Sequence, residues 1–256
     1  MSNKEVNLLK SYTYVISDIH GQYKAFMAML KKIKFKGSDM LYVIGDVIDR
    51  GSQSIKTLSY IMKEKNIVLL AGNHEYMAAQ CLGTLIQDIS DDIEELFLDG
   101  MVMGALRQWY RNGGWTTLNE LHKCDKEKRN EVLKYLMHLK LYKELEIGDK
   151  KFLLVHGGLR NFEKNKKMKE YSITDLVWER MDYKKKYYDD KYIITGHTPT
   201  QLIEDNDNPG YIYTNGMNID IDCGAAFGER LGCLRLDDMK EFYVDINGKK
   251  SKKESS

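Results

Sequence analysis

Apolar positions in the first seventy residues switch between two periods. Tyr12 to Ser17 is a short β-rich run, after which Ala25, Phe26, Met29, Leu30 and Ile33 recur at the spacing of one helix face. Met40 to Ile44 is a second strand, Ile55, Leu58 and Met62 mark a second amphipathic helix, and Ile67 to Leu70 is a third strand. The pattern predicts β-α-β-α-β. Such a unit sets parallel strands side by side through right-handed crossovers, which gathers their C-terminal ends at one edge. In open α/β sheets, ligands bind at that edge.

The pattern changes from Tyr76 to about Lys150. Val132, Leu136 and Leu139 follow a helical period, and Asn112-Gly113-Gly114-Trp115 reads as a turn between helices. A mostly helical insertion is expected at about 76–150. Strands return at Lys151 to Val155, Tyr192 to Thr195, Met217 to Ile221, Leu231 to Leu236 and Glu241 to Val244, the last two pairing around Asp237-Asp238. The class is α/β. Candidate ligands extend from residue 18 to residue 197, so a single domain over 12–246 is expected, with 1–11 and 247–256 as terminal extensions. The lysine-rich stretch Lys164 to Lys169 reads as a solvated loop, and the Tyr183 to Tyr192 cluster, though it resembles a stacking surface, reads as a solvated loop and strand entry.

Composition narrows the partners. Lys and Arg number 39 against 38 Asp and Glu, so no sequence-wide basic field points to nucleic acid or to a membrane surface. No apolar run approaches the roughly 20 residues that span a bilayer. The four cysteines, Cys81, Cys124, Cys223 and Cys233, show no Cys-x-x-Cys spacing, and Met1 to Lys10 lacks an apolar signal core. A reducing cytoplasm is the expected location, and Cys223 reads as a small packing residue.

The strand ends carry the chemistry. Asp18-Ile19-His20-Gly21, Gly45-Asp46-Val47-Ile48-Asp49-Arg50-Gly51 and Gly72-Asn73-His74-Glu75 each follow an apolar run, and two later strands end at Val155-His156-Gly157-Gly158 and Thr195-Gly196-His197-Thr198-Pro199. Carboxylate, imidazole and amide oxygen are the ligand types of hard and borderline divalent cations. Each residue alone has a plainer explanation as a cap, a core histidine or a surface ion-pair partner. Five such segments in order point to a metal-dependent hydrolase. His122 and His138 lack this strand-end context and stay outside the candidate site.

These segments, with Asn112-Gly113-Gly114-Trp115, Val177-Trp178-Glu179-Arg180 and Ile221-Asp222-Cys223-Gly224-Ala225, resemble the phosphoprotein phosphatase (PPP) family of calcineurin-like metallophosphatases. The likeness is greatest to the compact bacterial and phage serine/threonine phosphatases of the lambda phosphatase type, and it runs from about residue 12 to residue 236. One departure is Ser17, where that family usually has Gly. The resemblance implies a β-sandwich core of two mixed sheets flanked by helices. It also implies a pair of divalent cations roughly 3.5–4 Å apart that share an attacking hydroxide. By resemblance Asp18 and His20 hold one cation, Asn73, His156 and His197 hold the other, and Asp46 bridges them. Mn2+ is the first expectation, with Fe or Zn as alternatives.

By the same resemblance His74 is the general acid and Asp49 orients it, while Arg50, Arg180 and Asn73 contact phosphate. The expected activity is dephosphorylation of phosphoserine and phosphothreonine proteins, with a phosphoprotein as the partner. The alternative is a symmetrical diadenosine tetraphosphate hydrolase or another small phosphoester hydrolase. Sequences of that nucleotide-hydrolase type usually lack the Asp before Arg-Gly, and Asp49-Arg50-Gly51 is intact here. A binding module that has lost its chemistry is a third possibility, and no missing part supports it.

Overall fold

The computed structural model describes residues 11–88 and 100–247. Apart from residues 11 and 247, the expected terminal extensions lie outside the described residues, as does part of the expected insertion. Strands β1 (Thr13–Ile16), β2 (Met40–Ile44) and β3 (Ile67–Leu70) are parallel neighbours, with Thr13 opposite Met40 and Leu41 opposite Ile67. Helices α1 (Tyr23–Lys32) and α2 (Ser54–Lys63) are the two crossovers. The β-α-β-α-β expectation therefore matches the structure element by element.

These strands are apolar on both faces because both faces are covered. Tyr14, Ile16, Leu41, Val43, Ile67 and Leu69 face a core built with α1, α2 and the later helices. Val15, Tyr42, Ile44 and Leu70 face the other way, into a core shared with Phe152, Leu154, Ile194 and Ile219. Full burial of side chains of this size is worth about 1.5–3 kcal/mol each. The alternation of single residues between two cores fixes the strand register, since a one-residue slip would exchange the faces.

The shared core lies between two mixed sheets, the first in the order β10-β9-β1-β2-β3 and the second in the order β4-β5-β6-β8-β7. The later strands are β4 (Tyr142–Ile147), β5 (Lys150–Val155), β6 (Lys191–Thr195), β7 (Tyr213–Asn215), β8 (Asn218–Asp220), β9 (Arg230–Arg235) and β10 (Lys240–Asp245). β9 and β10 form the expected hairpin, with Lys240 opposite Arg235. Arg235 braces its turn through two bonds to the Asp238 carboxylate, at 2.8 and 2.6 Å. The fold is thus a sandwich of two mixed sheets flanked by helices.

The helical region differs from expectation at both ends. Helix α3 (Asn73–Asp88) starts three residues before Tyr76, so Asn73 and His74 occupy its first turn. Among the described residues the next elements are α4 (Gly100–Trp109), a π-helical turn over Tyr110–Gly114, α5 (Trp115–His122) and α6 (Lys126–Met137). The stretch from Tyr142 is strand, not helix, and pairs antiparallel with β5. It escaped notice because its charged residues belong to an edge strand with exposed positions.

Residues 183–192 also differ. Tyr183 and Tyr187 are buried, at 5% and 8% exposure, in a third core that covers the outer face of the second sheet with Leu159, Met168, Leu176 and Ile193. The lysines between them and Asp189 and Asp190 are solvated, and Lys184 and Lys186 pair with Asp205 and Asp189. A short helix, α7 (Ile173–Val177), capped by Ser172, completes this layer. Among the described residues no helix is long and apolar enough to cross a membrane, and none of the four cysteines is in a disulfide.

Candidate metal centre

The loops that leave β1 and β2 are bonded to one another. Asp18 and His20 donate their backbone N–H groups to Gly45 O and Asp46 O at 3.1 and 2.9 Å, and Gly21 N donates to Val47 O at 2.8 Å. Asp18, His20, Asp46, Asp49, Arg50 and His197 all have φ between 44° and 72°. For residues other than Gly this conformation costs of order 1–3 kcal/mol each and persists only where surroundings impose it, as at functional sites. Strain is concentrated at the candidate residues.

Two glycines permit the close approach of the three strand ends. A Cβ on Gly45 would lie 2.6 Å from Gly72 Cα and 2.6 Å from His156 Nδ1, and one on Gly72 would lie 2.2 Å from Asp46 Oδ1. Glu75 then fixes the Asp46 loop from below. Its buried carboxylate accepts from the N–H groups of Asp46, Val47 and Gly72 at 2.7, 2.8 and 2.9 Å. Burial and the Asp46 carboxylate raise the pKa of Glu75, against the lowering effect of the N–H groups of Asp46 and Val47. The sequence motif contained Glu75, but its part in shaping the loop depends on contacts across 29 residues.

Asp46 lies at the centre of two donor groups, one with His20 and His74 and the other with His156 and His197. Its Oδ2 is 3.6 Å from His20 Nε2 and 3.8 Å from His74 Nε2, and its Oδ1 is 3.3 Å from His156 Nε2. Asn73 Oδ1 lies 3.0 Å from His156 Nε2 and 2.9 Å from His197 Nδ1, so it joins the second group. Asp18 spans both. Its Oδ1 is 3.9 Å from His20 Nε2, and its Oδ2 accepts from His197 N at 3.1 Å. All six residues expected as ligands are brought together, and His74 is added beside them.

The imidazoles are arranged as cation ligands. Nδ1 of His20 and Nδ1 of His156 each face a backbone carbonyl, Ile48 O at 2.9 Å and Ile44 O at 2.8 Å. Donation from Nδ1 leaves the Nε2 lone pair facing the carboxylates, the usual way a ligating histidine is oriented. Burial, with His74 nearby, lowers the His20 pKa well below the ordinary imidazole range, and burial with His156 nearby lowers that of His197 to about 3. Both are neutral. Burial also acts to lower His156, but the Asp46 carboxylate outweighs it and raises the imidazole to about 10. Burial would raise the Asp46 carboxyl, but the imidazoles of His156, His74 and His20 together hold it well below the usual range. The carboxylate thus favours a proton on His156, which a bound cation would displace to free the Nε2 lone pair. A donor set of imidazole, carboxylate and amide oxygen fits divalent cations.

Asp49 lies next to this cluster and is fully buried. Its Oδ2 is 2.7 Å from His74 Nδ1 and accepts from Trp109 Nε1 at 2.7 Å, while Thr117 Oγ1 donates to its Oδ1 at 2.5 Å. Trp109 and Thr117 were not singled out in the sequence, since neither belongs to a strand-end motif. Arg50 Nη1 and Nη2 lie 3.2 and 3.1 Å from Nε2 of His20 and of His74, and Asn112 O and Gly113 O contact its Nε and backbone N at 3.5 and 3.2 Å. The exposed ring of Phe227 lies 5.9 Å from its guanidinium carbon. Arg180 is exposed, forms no hydrogen bond or ion pair among the described residues, and acts on His197 only through its charge. His122 and His138 are exposed and away from the cluster.

The family model for calcineurin-like phosphoesterases matches residues 12–221. The chain is 26% identical over 258 residues to the asymmetrical bis(5'-nucleosyl)-tetraphosphatase PrpE of Anoxybacillus flavithermus, with 90% of this chain and 92% of that protein covered. It is 27% identical over 173 residues to serine/threonine-protein phosphatase 2 of Salmonella typhimurium, with 67% and 69% covered. A solved structure described as a candidate diadenosine tetraphosphatase superposes with TM-score 0.61 at 16% identity over 93% of this chain and 94% of that one. A metallophosphoesterase from Sphaerobacter thermophilus superposes with TM-score 0.52 at 18% identity, covering 91% and 87%. With that match over most of its length, and with two groups of candidate metal ligands meeting at Asp46, the chain belongs to the calcineurin-like phosphoesterase family, whose members use divalent metals.

Proposed function

We propose that the protein is a phosphomonoesterase acting on phosphoserine and phosphothreonine proteins, in the manner of the lambda phosphatase type. The observation that carries this reading is the His74–Asp49 pair at 2.7 Å, because a seryl or threonyl alkoxide is a basic leaving group that needs a proton as it departs. A nucleotide leaves as a far weaker base and needs that proton less.

In this reading Asp18 and His20 would hold one cation, Asn73, His156 and His197 would hold a second, and Asp46 would serve both. The mixture of nitrogen and oxygen donors suits Mn, Fe and Zn alike, and Mn2+ is the first choice by likeness to the bacterial phosphatases. Cations so held supply water activated near neutral pH and positive charge against the phosphoryl oxygens. Asp49 accepts from Nδ1 of the His74 imidazolium, and His74 releases its Nε2 proton to the leaving oxygen. Arg50, with its guanidinium over His20 and His74, binds phosphate oxygens through a planar pair of donors. Asn73 and the exposed Arg180 contact the phosphate from the side of His197. Residues 12–246 act as a single domain, since both sheets supply parts of one site, and the helices of 76–150 flank the substrate.

A second reading is hydrolysis of a dinucleoside tetraphosphate, favoured by the named tetraphosphatase relatives that match over about nine-tenths of both chains. Phosphoserine and phosphothreonine peptides should be assayed beside diadenosine tetraphosphate under Mn2+, Fe2+, Zn2+ and Mg2+. A higher kcat/KM on phosphopeptides is expected. A tenfold or greater preference for the dinucleotide would replace the first reading with the second.

A further inference from the structure

Beside the candidate centre, a groove of about 410 Å3 is lined by Gly104, Arg107, Gln108, Arg111 and Asn112. Arg107 is on α4, and Arg111 is four residues on, in the π-helical turn that continues it. Both side chains are exposed, and neither has an ion pair or hydrogen bond among the described residues. Arg160, Arg230 and Arg235 by contrast are paired, with Glu179, Asp245 and Asp238. Two like charges four residues apart on a helix repel, so this arrangement costs stability unless an anion offsets it.

The groove adjoins the site through one residue. Asn112 lines it, and the same residue's carbonyl faces Arg50 Nε at 3.5 Å, while Arg50 in turn lies 3.1 Å from His74 Nε2. An anion held by Arg107 and Arg111 would therefore belong to the molecule whose phosphate lies at Arg50. Side chains four apart on a helix are separated by about 5–6 Å at Cβ. On an extended peptide, residues i and i+2 point the same way about 7 Å apart. Two acidic side chains at that spacing can each face one of the two guanidinium groups, a pairing of planar fork with carboxylate.

Resting on the phosphoprotein reading above, we propose that Arg107 and Arg111 form an anion subsite for acidic side chains, or a second phosphorylated side chain, a few residues from the phosphoserine or phosphothreonine being hydrolysed. The preferred substrates are phosphosites in acidic surroundings. Because the subsite is exposed, its contribution is screened by salt. Each exposed arginine is worth at most about fivefold in kcat/KM, and the two together about tenfold or somewhat more.

The test uses three phosphoserine peptides of one length whose flanking residues are acidic, alanine or lysine, with the full chain loaded with Mn2+. The wild type should prefer the acidic over the alanine peptide by about tenfold, mainly through KM, and lose that ratio in high salt. R107Q/R111Q should bring the ratio close to one, and R107E/R111E should invert the preference towards the lysine peptide. Thermal melting of each variant checks folding, and the ratio is measured within each protein. A wild-type ratio near one, or a ratio that survives in R107Q/R111Q, would overturn the subsite while leaving the phosphoprotein reading intact. Failure on all three peptides alongside turnover of diadenosine tetraphosphate would instead remove that reading. A loss in R107Q/R111Q confined to the dinucleotide would reassign the groove to polyphosphate and overturn the peptide proposal.

Discussion

Asp49 Oδ2 lies 2.7 Å from His74 Nδ1 in a position with no access to solvent, and Trp109 Nε1 donates to the same oxygen at the same distance. The carboxylate is therefore held independently of the imidazole it orients. Substituting His74 with Asn should retain the metals and lose much more rate on a phosphoserine peptide than on an activated aryl phosphate, whose phenolate needs less protonation. Asp49→Asn should show the same pattern more mildly, and Trp109→Phe more mildly still. Equal losses on both substrates, or loss of bound metal, would make His74 a ligand or a positioning group, in line with its place beside Asp46.

Asp46 faces both donor groups and Asp18 chiefly one. Chelation should abolish activity on an aryl phosphate, and a transition metal should restore it. Elemental analysis should find Asp46→Asn depleted of metal throughout, and Asp18→Asn depleted mainly at a single position. Full activity after exhaustive chelation would remove metal catalysis from this protein.

The two arginines differ in how firmly they are placed. Arg50 is anchored by contacts to Asn112 and Gly113, whereas Arg180 is exposed with no bonded partner among the described residues. Arg50→Ala should lower kcat/KM by about 10–1,000-fold, for the loss of charge-assisted contacts of about 1.5–4 kcal/mol, with metal content unchanged. Arg180→Ala should fall at the lower end of that range. Wild-type kinetics for Arg180→Ala would strike it from the site.

Behind the centre, Asp220 is fully buried and accepts from Asp222 N at 2.7 Å, while Tyr183 Oη donates to its other oxygen. Burial and the neighbouring Asp222 carboxylate raise its pKa well above the usual carboxylate range. The folded chain thus keeps a proton that the unfolded chain loses above about pH 4, so this group's stabilisation is full below that pH and is lost as pH rises towards the raised value. The loss is up to about 1.4 kcal/mol per pH unit. Asp220→Asn, which imitates the neutral acid, should flatten the fall of Tm between pH 5 and pH 8. An unchanged slope would mean that Asp220 is ionised in the folded protein.

Much of this was legible in the chain because it is encoded locally. The short apolar, β-rich runs Tyr12 to Ser17, Met40 to Ile44 and Ile67 to Leu70, with the helical spacing between them, are a property of neighbouring residues, and they located three strands and two helices. It also put Asp18, Asp46 and Asn73 at the same edge, since parallel strands joined by right-handed crossovers admit one arrangement. Gly45 and Gly72 precede Asp46 and Asn73 because the backbones there leave no room for a Cβ.

What the sequence did not determine is what depends on distant segments meeting. His156 and His197 reach Asp46 only because the two sheets pack face to face, and Trp109 and Thr117 reach Asp49 across 60 and 68 residues from helices whose periodicity carries no mark of that contact. Tyr183 and Tyr187 are interspersed with lysines like residues of a surface loop, yet the loop folds over the second sheet and buries them. The charged edge strand Tyr142–Ile147 has little apolar pattern of its own and is held by its ladder to β5. Local periodicity records which face a residue presents. The partner that meets that face is chosen by the packing of the whole chain, where burial of apolar surface decides and sequence separation does not enter.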